Sequence, residues 1–358
     1  MKPFARALVL PCLLAGCLGP RTPLPANVGD STPPPRAAGG SSTRAAPLDE
    51  GAAPGLSPTL VRALATIDEG SVAKDLAIVA VPRQHASHPA GLVAVARHVD
   101  ATLRSAGLTV TRQAVRYGSY VADNVIAERI GTDPARVVII AAHYDAVSGT
   151  AGADDNASGV VAVLGAARAL ALVPTAATIR FVTFAFEEEG MIGSDAYLRS
   201  LDDEARRRIV GVFNLEMVGY TDRAPGSQRY PRGIEAVAGG RRLPTTGDFL
   251  GAIVAPSDAP PIAALERARA YVPGLRAEVI AVPRPMALLL PDLLRSDHGP
   301  FWLADIPAAM LNDTADYRSP HYHRPSDRPE TIDRAFLVRA ARWATAAAAL
   351  LAEVRSEE

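Results

Sequence analysis

The residues best able to do chemistry crowd into five short stretches. "AHYDAV" (142–147) holds His143 and Asp145, and "GADDNASG" (152–159) holds Asp154 and Asp155. "FAFEEEGMIGS" (184–194) carries Glu187, Glu188 and Glu189, "NLEMVGY" (214–220) carries Glu216, and "SPHYHRPSD" (319–327) carries His321, Tyr322 and His323. Each has a plain reading alone: a charge triplet after a strand is a solvated turn, and an Asp-rich loop caps a helix. Glu216 resists that reading, because a lone carboxylate among apolar neighbours is costly to bury. Gathered together, the carboxylates would repel and raise one another's pKa. Something positive must compensate them, and lysine is scarce in this chain. A divalent metal is the economical answer, with imidazole nitrogen and carboxylate oxygen as donors that zinc accepts.

The elements needed to gather these groups are legible. "RVVIIAA" ends in His143 and Asp145, "TIRFVTFAF" in the glutamate triplet, and "IVGVFNL" in Glu216. All three are near-continuous apolar runs, as expected of strands covered by helices on both faces. Helical spacing in "PTLVRALATI" (58–67), in "GLVAVARHVDATLRSAG" (91–107), after residue 156, in "SDAYLRSL" (194–201), near 261–271 and from about 331 alternates with further strands at 108–117, 121–130, 247–255, 277–283 and 306–313. This predicts an α/β fold with a doubly wound, mostly parallel (mixed) sheet and helices on both faces. Ligands of such sheets bind outside the carboxyl ends of the strands, where these acidic residues lie.

Five motifs in this order resemble the dizinc exopeptidases of metallopeptidase family 28, which includes secreted bacterial leucyl aminopeptidases and glutamate carboxypeptidase II. The resemblance covers roughly residues 58–353. It implies two Zn2+ per chain, with His143 and Glu216 on one ion, Glu188 and His323 on the other, and Asp155 bridging both. It implies Asp145 as the partner that orients His143, and Glu187 as the general base. Tyr322 falls where some members place a hydroxyl on the tetrahedral intermediate. Asp297 and His298, in "RSDHGPFW", match a supporting motif, and His321 is a neighbour and not a ligand. The position of Glu216 is Asp in the best-known members, a difference of one methylene. The insertions of the carboxypeptidase branch are not evident, which favours aminopeptidase action on peptides with a free N-terminus. Two other readings of the fold stay open: a single-zinc glutaminyl cyclase-like enzyme, and a non-catalytic binding lipoprotein.

The remaining chain sets the context. The sequence has 358 residues, 48% hydrophobic and 21% charged, with a formal net charge of -1, so nothing suggests nucleic acid as a partner. "MKPFAR" followed by "ALVLPCLLAG" is a signal-peptide pattern, too short to span a membrane. It ends in "LAGC", which resembles the bacterial lipobox, so residues 1–16 read as a lipoprotein signal peptide and Cys17 as the lipidated residue. A Pro/Gly/Ala-rich tether at 17–56 would join the membrane to a peptidase domain at 57–358. This places the protein at the bacterial cell envelope, lipid-anchored. The only cysteines are Cys12 and Cys17, so a metal site in the domain must use His, Asp and Glu.

Overall fold

Eight strands form one mixed sheet in the order β1-β2-β4-β3-β5-β8-β6-β7, in a computed structural model that describes residues 56–234 and 240–354. The signal-peptide, lipidation and tether assignments lie outside the described residues. The four central strands, β4 (Ala177–Phe184), β3 (Asp133–His143), β5 (Ile209–Glu216) and β8 (Ala308–Asn312), run parallel. β1 (Thr109–Tyr117) and β2 (Tyr120–Arg129) form an antiparallel hairpin on one side, and β2 runs antiparallel to β4. β6 (Leu250–Val254) runs antiparallel to β8 and parallel to β7 (Ala277–Ala281) at the other edge.

The continuous apolar character of β3 has the expected cause. Val138, Ile140 and Ala142 pack into one core with the helix Gly159–Leu170 and the Ala-rich helix Arg334–Leu351. Val137, Ile139 and Ala141 face a second core with Tyr197, Phe301 and Trp302. Successive side chains point to opposite faces, so both faces must be apolar when both are covered.

Among the departures from the periodicity, two concern long helices. The C-terminal helix begins at Arg334, not near 331: Asp333 caps it by accepting from the Phe336 N–H at 2.9 Å, and Pro329–Thr331 forms a separate 3-10 turn. A helix at Glu69–Val79 was not anticipated; Asp68 and Ser71 form a capping box at its start. Among the described residues no helix is long and apolar enough to cross a membrane.

The chain leaves β3 through the helix Gly159–Leu170 to β4 on one side, then passes through Ile192–Ser200 to β5 on the other. The order therefore reverses between β3 and β5, which opens a crevice at their carboxyl ends. Ala141 pairs with Asn214, so two residues further on His143 and Glu216 emerge side by side.

Candidate metal centre

The turn Ala153–Ser158 brings Asp155 back over the end of β3. Its approach requires glycine on both sides. Gly152 has φ 54°, and a Cβ there would lie 2.3 Å from the Asp155 carbonyl oxygen; a Cβ on Gly159 would lie 2.3 Å from Asn156 Oδ1. Wholly buried Arg83 braces the loop before this turn, donating to the carbonyls of Tyr144 (2.7 Å), Ala151 (2.5 Å) and Gly152 (2.8 Å). Asp327 accepts from the backbone N–H groups of Asp154 (2.8 Å) and Asp155 (3.1 Å). The Asp155–Asn156 peptide is cis.

The two carboxylate oxygens of Asp155 face two different imidazoles. Oδ1 is 3.3 Å from His143 Nε2, and Oδ2 is 3.1 Å from His323 Nε2. Each imidazole has a further carboxylate of its own: Glu216 Oε2 at 3.4 Å from His143 Nε2, and Glu188 Oε2 at 3.2 Å from His323 Nε2. Glu187 Oε2 is 3.7 Å from His143 Nε2. Donor atoms of His143, Glu187 and Glu216 lie close enough to share one ion, as do those of His143, Asp155 and Glu188. Both His143 nitrogens and Glu188 Oε1 are buried without a hydrogen-bond partner. Orphaned buried nitrogen and oxygen aimed into a cluster of carboxylates is what a metal-binding donor set requires, and this N/O set fits zinc.

The electrostatics point the same way. Burial alone would lower the pKa of His143, but Glu216 and Glu187, with Asp145 and Asp155, hold it well above the usual imidazole value. Against the same opposing burial, Asp155 and Glu188 raise His323 to about 10. Burial and the charge of Asp155 raise Glu188 to about 7. Asp155 moves down: burial opposes, but the imidazoles of His143 and His323 beside it outweigh burial. Both imidazoles and Glu188 hold their protons more tightly than usual, as expected where carboxylates crowd together.

Supporting residues fix these side chains. Asp145 Oδ1 lies 3.4 Å from His143 Nδ1, long for a hydrogen bond. Its better contacts accept the N–H groups of Glu187 (3.1 Å) and Glu188 (3.2 Å), so it also aims the glutamate loop. Ser296 Oγ donates to Glu216 Oε2 at 2.7 Å and accepts from Asn214 Nδ2 at 2.7 Å. Asn156 Nδ2 donates to the Leu215 carbonyl at 2.8 Å, while its Oδ1 accepts from Met217 N–H at 3.2 Å. Asp297 is buried behind the cluster and accepts from Ser194 Oγ at 2.5 Å. His298 turns away, its Nε2 bonded to the Leu293 carbonyl at 2.8 Å. His321 is bonded to Ser326 Oγ through Nδ1. Asn156, Ser296 and Asp327 stood inside the motifs read from the sequence, without a role; nothing in the local sequence marked Arg83, some 60 residues upstream.

Beside the cluster an apolar pocket opens, lined by Glu216, Met217, Phe249, Ile253, Ile280, Met310 and Tyr322 among others. The Tyr322 ring stacks on His323 with centroids 3.8 Å apart.

Comparison with known proteins follows the geometry. The profile of peptidase family M28 matches residues 124–243. YfbL of Escherichia coli, an uncharacterized protein, is 32% identical over 247 residues, 66% of this chain and 74% of YfbL. LpqL of Mycobacterium tuberculosis, named a probable lipoprotein aminopeptidase, is 30% identical over 265 residues, which cover 69% of this chain and 49% of LpqL. Among solved structures, an aminopeptidase from Aneurinibacillus sp. strain AM-1 superposes with a TM-score of 0.63 at 17% identity, covering 83% of this chain and 96% of that one. The zinc aminopeptidase BSAP of Bacillus subtilis superposes at 0.51 and 26% identity, over 67% of this chain and 53% of its own. A Porphyromonas gingivalis glutaminyl cyclase shares the fold at 0.51 and 20% identity, over 78% and 95%.

Proposed function

Because the chain belongs to peptidase family M28, and is on that ground a peptide hydrolase, we propose that it is a zinc-dependent aminopeptidase that removes the first residue of peptides with a free N-terminus. One observation carries the two-metal form of this reading: the two oxygens of Asp155 point at two imidazoles, each with its own second carboxylate. His143 and Glu216 would hold one zinc, His323 and Glu188 the other, and Asp155 would bridge them. Zinc bound there would polarise the scissile carbonyl and lower the pKa of water enough for attack at neutral pH.

The chain's own residues supply the rest. Glu187 is the general base that takes a proton from the attacking water and returns it to the leaving amine. Burial holds its carboxyl well above the usual range, opposed by His143 and reinforced by Glu216, Asp297 and Glu188. Asp145 keeps Glu187 and Glu188 at their stations through their backbone N–H groups. The Tyr322 hydroxyl donates to the oxygen that becomes negative in the tetrahedral intermediate. The carboxylate cluster holds the substrate ammonium, and the apolar pocket beside Glu216 takes the side chain of the first residue.

Zinc content of the purified domain, with hydrolysis of an aminoacyl-anilide before and after chelation, tests the reading. Two zincs per chain and a chelator-sensitive activity support it. One zinc with cyclisation of N-terminal glutamine would turn it toward the cyclase, and no metal toward a binding lipoprotein.

The proposal extends to location. "LAGC" and the similarity to LpqL support lipid attachment at Cys17 and a place in the bacterial cell envelope. Cys17→Ala should release the protein from the membrane fraction; unchanged membrane association would count against the anchor.

A further inference from the structure

The stretch "RSDH" at 295–298 divides its work. Ser296 bonds to Glu216, Asp297 to Ser194, and His298 to a backbone carbonyl. Arg295 has a different target. Its Nη2 donates to the Tyr322 hydroxyl oxygen at 2.9 Å. Its Nη1 is held by Asp292 Oδ1 at 3.2 Å and Asp316 Oδ1 at 3.4 Å. Asp292 is fixed in turn, accepting from the Tyr317 hydroxyl at 2.9 Å through Oδ2. The guanidinium carbon lies 5.5 Å from the centroid of the Tyr322 ring, which also stacks on His323. Arg295, Tyr322 and Glu216 line the same pocket.

A phenol hydroxyl can donate or accept, whereas a guanidinium can only donate. At this contact Tyr322 must therefore accept, and its own proton is left free to point away from Arg295. We propose that Arg295 is a positioning residue that reserves the Tyr322 hydroxyl as a hydrogen-bond donor to the tetrahedral oxygen of the reacting carbonyl. Arginine suits the task because its rigid fork reaches the phenol and two carboxylates at once, which the single ammonium of lysine does not. Asp292 and Asp316 hold the fork, so the direction of one proton depends on a network on the pocket wall. This deepens the aminopeptidase reading and rests on it.

The test is a double-mutant cycle on the zinc-loaded enzyme with Arg295→Gln, Tyr322→Phe and the pair. Kinetics on an apolar aminoacyl-anilide are measured beside affinity for an α-aminoalkyl boronic acid, which mimics the tetrahedral species, and for the free amino acid. Loss of one donor to an oxyanion costs about 10²–10³-fold in kcat. Arg295→Gln, which keeps the donor but not its orientation, should lower kcat by part of that factor with little change in KM, and weaken the boronic acid but not the amino acid. In the Tyr322→Phe background the same change should cost almost nothing, since coupled residues are not additive. Arg295→Lys should recover part of the loss. Zinc content and melting temperature should match the wild type throughout. Equal losses in both backgrounds, or a loss in KM alone, would overturn the inference and leave Arg295 as pocket wall. A wild type that hydrolyses no free-amine substrate would remove the aminopeptidase reading, and the inference with it.

Discussion

His143 and His298 are both wholly buried, and each sits close in sequence to an aspartate, yet their surroundings give them opposite characters. His143 has no hydrogen-bond partner on either nitrogen and faces four carboxylates, Asp145, Asp155, Glu187 and Glu216, which hold its pKa well above the usual value. His298 is bonded to the Leu293 carbonyl and meets the Trp302 ring edge-on at 5.1 Å, and burial lowers its pKa to about 4. Burial alone discharges an imidazole; buried anions reverse the sign. The first histidine is equipped to hold a cation and the second to hold a loop.

The largest expected effect comes from removing the first of the pair. His143→Ala should lose bound zinc and activity together, and Asp155→Ala should do the same. His321→Ala, outside the cluster, should keep both. Full zinc content in His143→Ala would erase the contrast between the two buried histidines.

A smaller effect sharpens the comparison within the cluster, where the adjacent glutamates differ in their contacts. Glu187→Gln should keep its zinc but lose about 10²–10⁴-fold in kcat, the usual worth of general acid–base catalysis. Glu188→Gln should weaken zinc binding, with partial recovery in added zinc. If the zinc loss followed Glu187 instead, the two roles would be exchanged.

The smallest effect belongs to His298 and concerns stability. Its folded pKa of about 4 lies below the unfolded value near 6.5, so between these the unfolded chain binds the extra proton. Stability from the neutral ring is complete above pH 6.5 and is lost as pH falls toward 4, roughly 3 kcal/mol over the full window. His298→Gln keeps a donor for the Leu293 carbonyl but does not titrate. Urea unfolding at pH 7 and pH 4.5 should show a larger fall in midpoint for the wild type than for the variant. Equal falls would mean that His298 is charged in the folded state, and the opposition between the two histidines would disappear.

The strands with acidic ends were legible because both signals are local. β3 and β5 are apolar on both faces since helices cover both, and a run such as "RVVIIAA" states this without reference to any partner. The start of the last helix was misjudged by a few residues because the deciding contact is the Asp333 cap, and "PETIDR" offers more than one starting point.

The sequence by itself determined the chemistry available: a cysteine-free domain with histidines and carboxylates at strand ends, in an order resembling that of one peptidase family. Residue type and spacing suffice for that, because the cost of burying a carboxylate among apolar neighbours does not depend on knowing the partner. Only the tertiary structure decided that the two oxygens of Asp155 face different imidazoles, that Arg83 braces the loop beneath them, and that Arg295 faces the Tyr322 hydroxyl. These contacts join residues 12, 168, 61 and 27 positions apart in the chain, from His143 to Asp155, Asp155 to His323, Arg83 to Tyr144 and Arg295 to Tyr322. Hydrogen-bond and ligand geometry is decided over tenths of an ångström. Spacing along the chain constrains no such distance until the sheet has set the register.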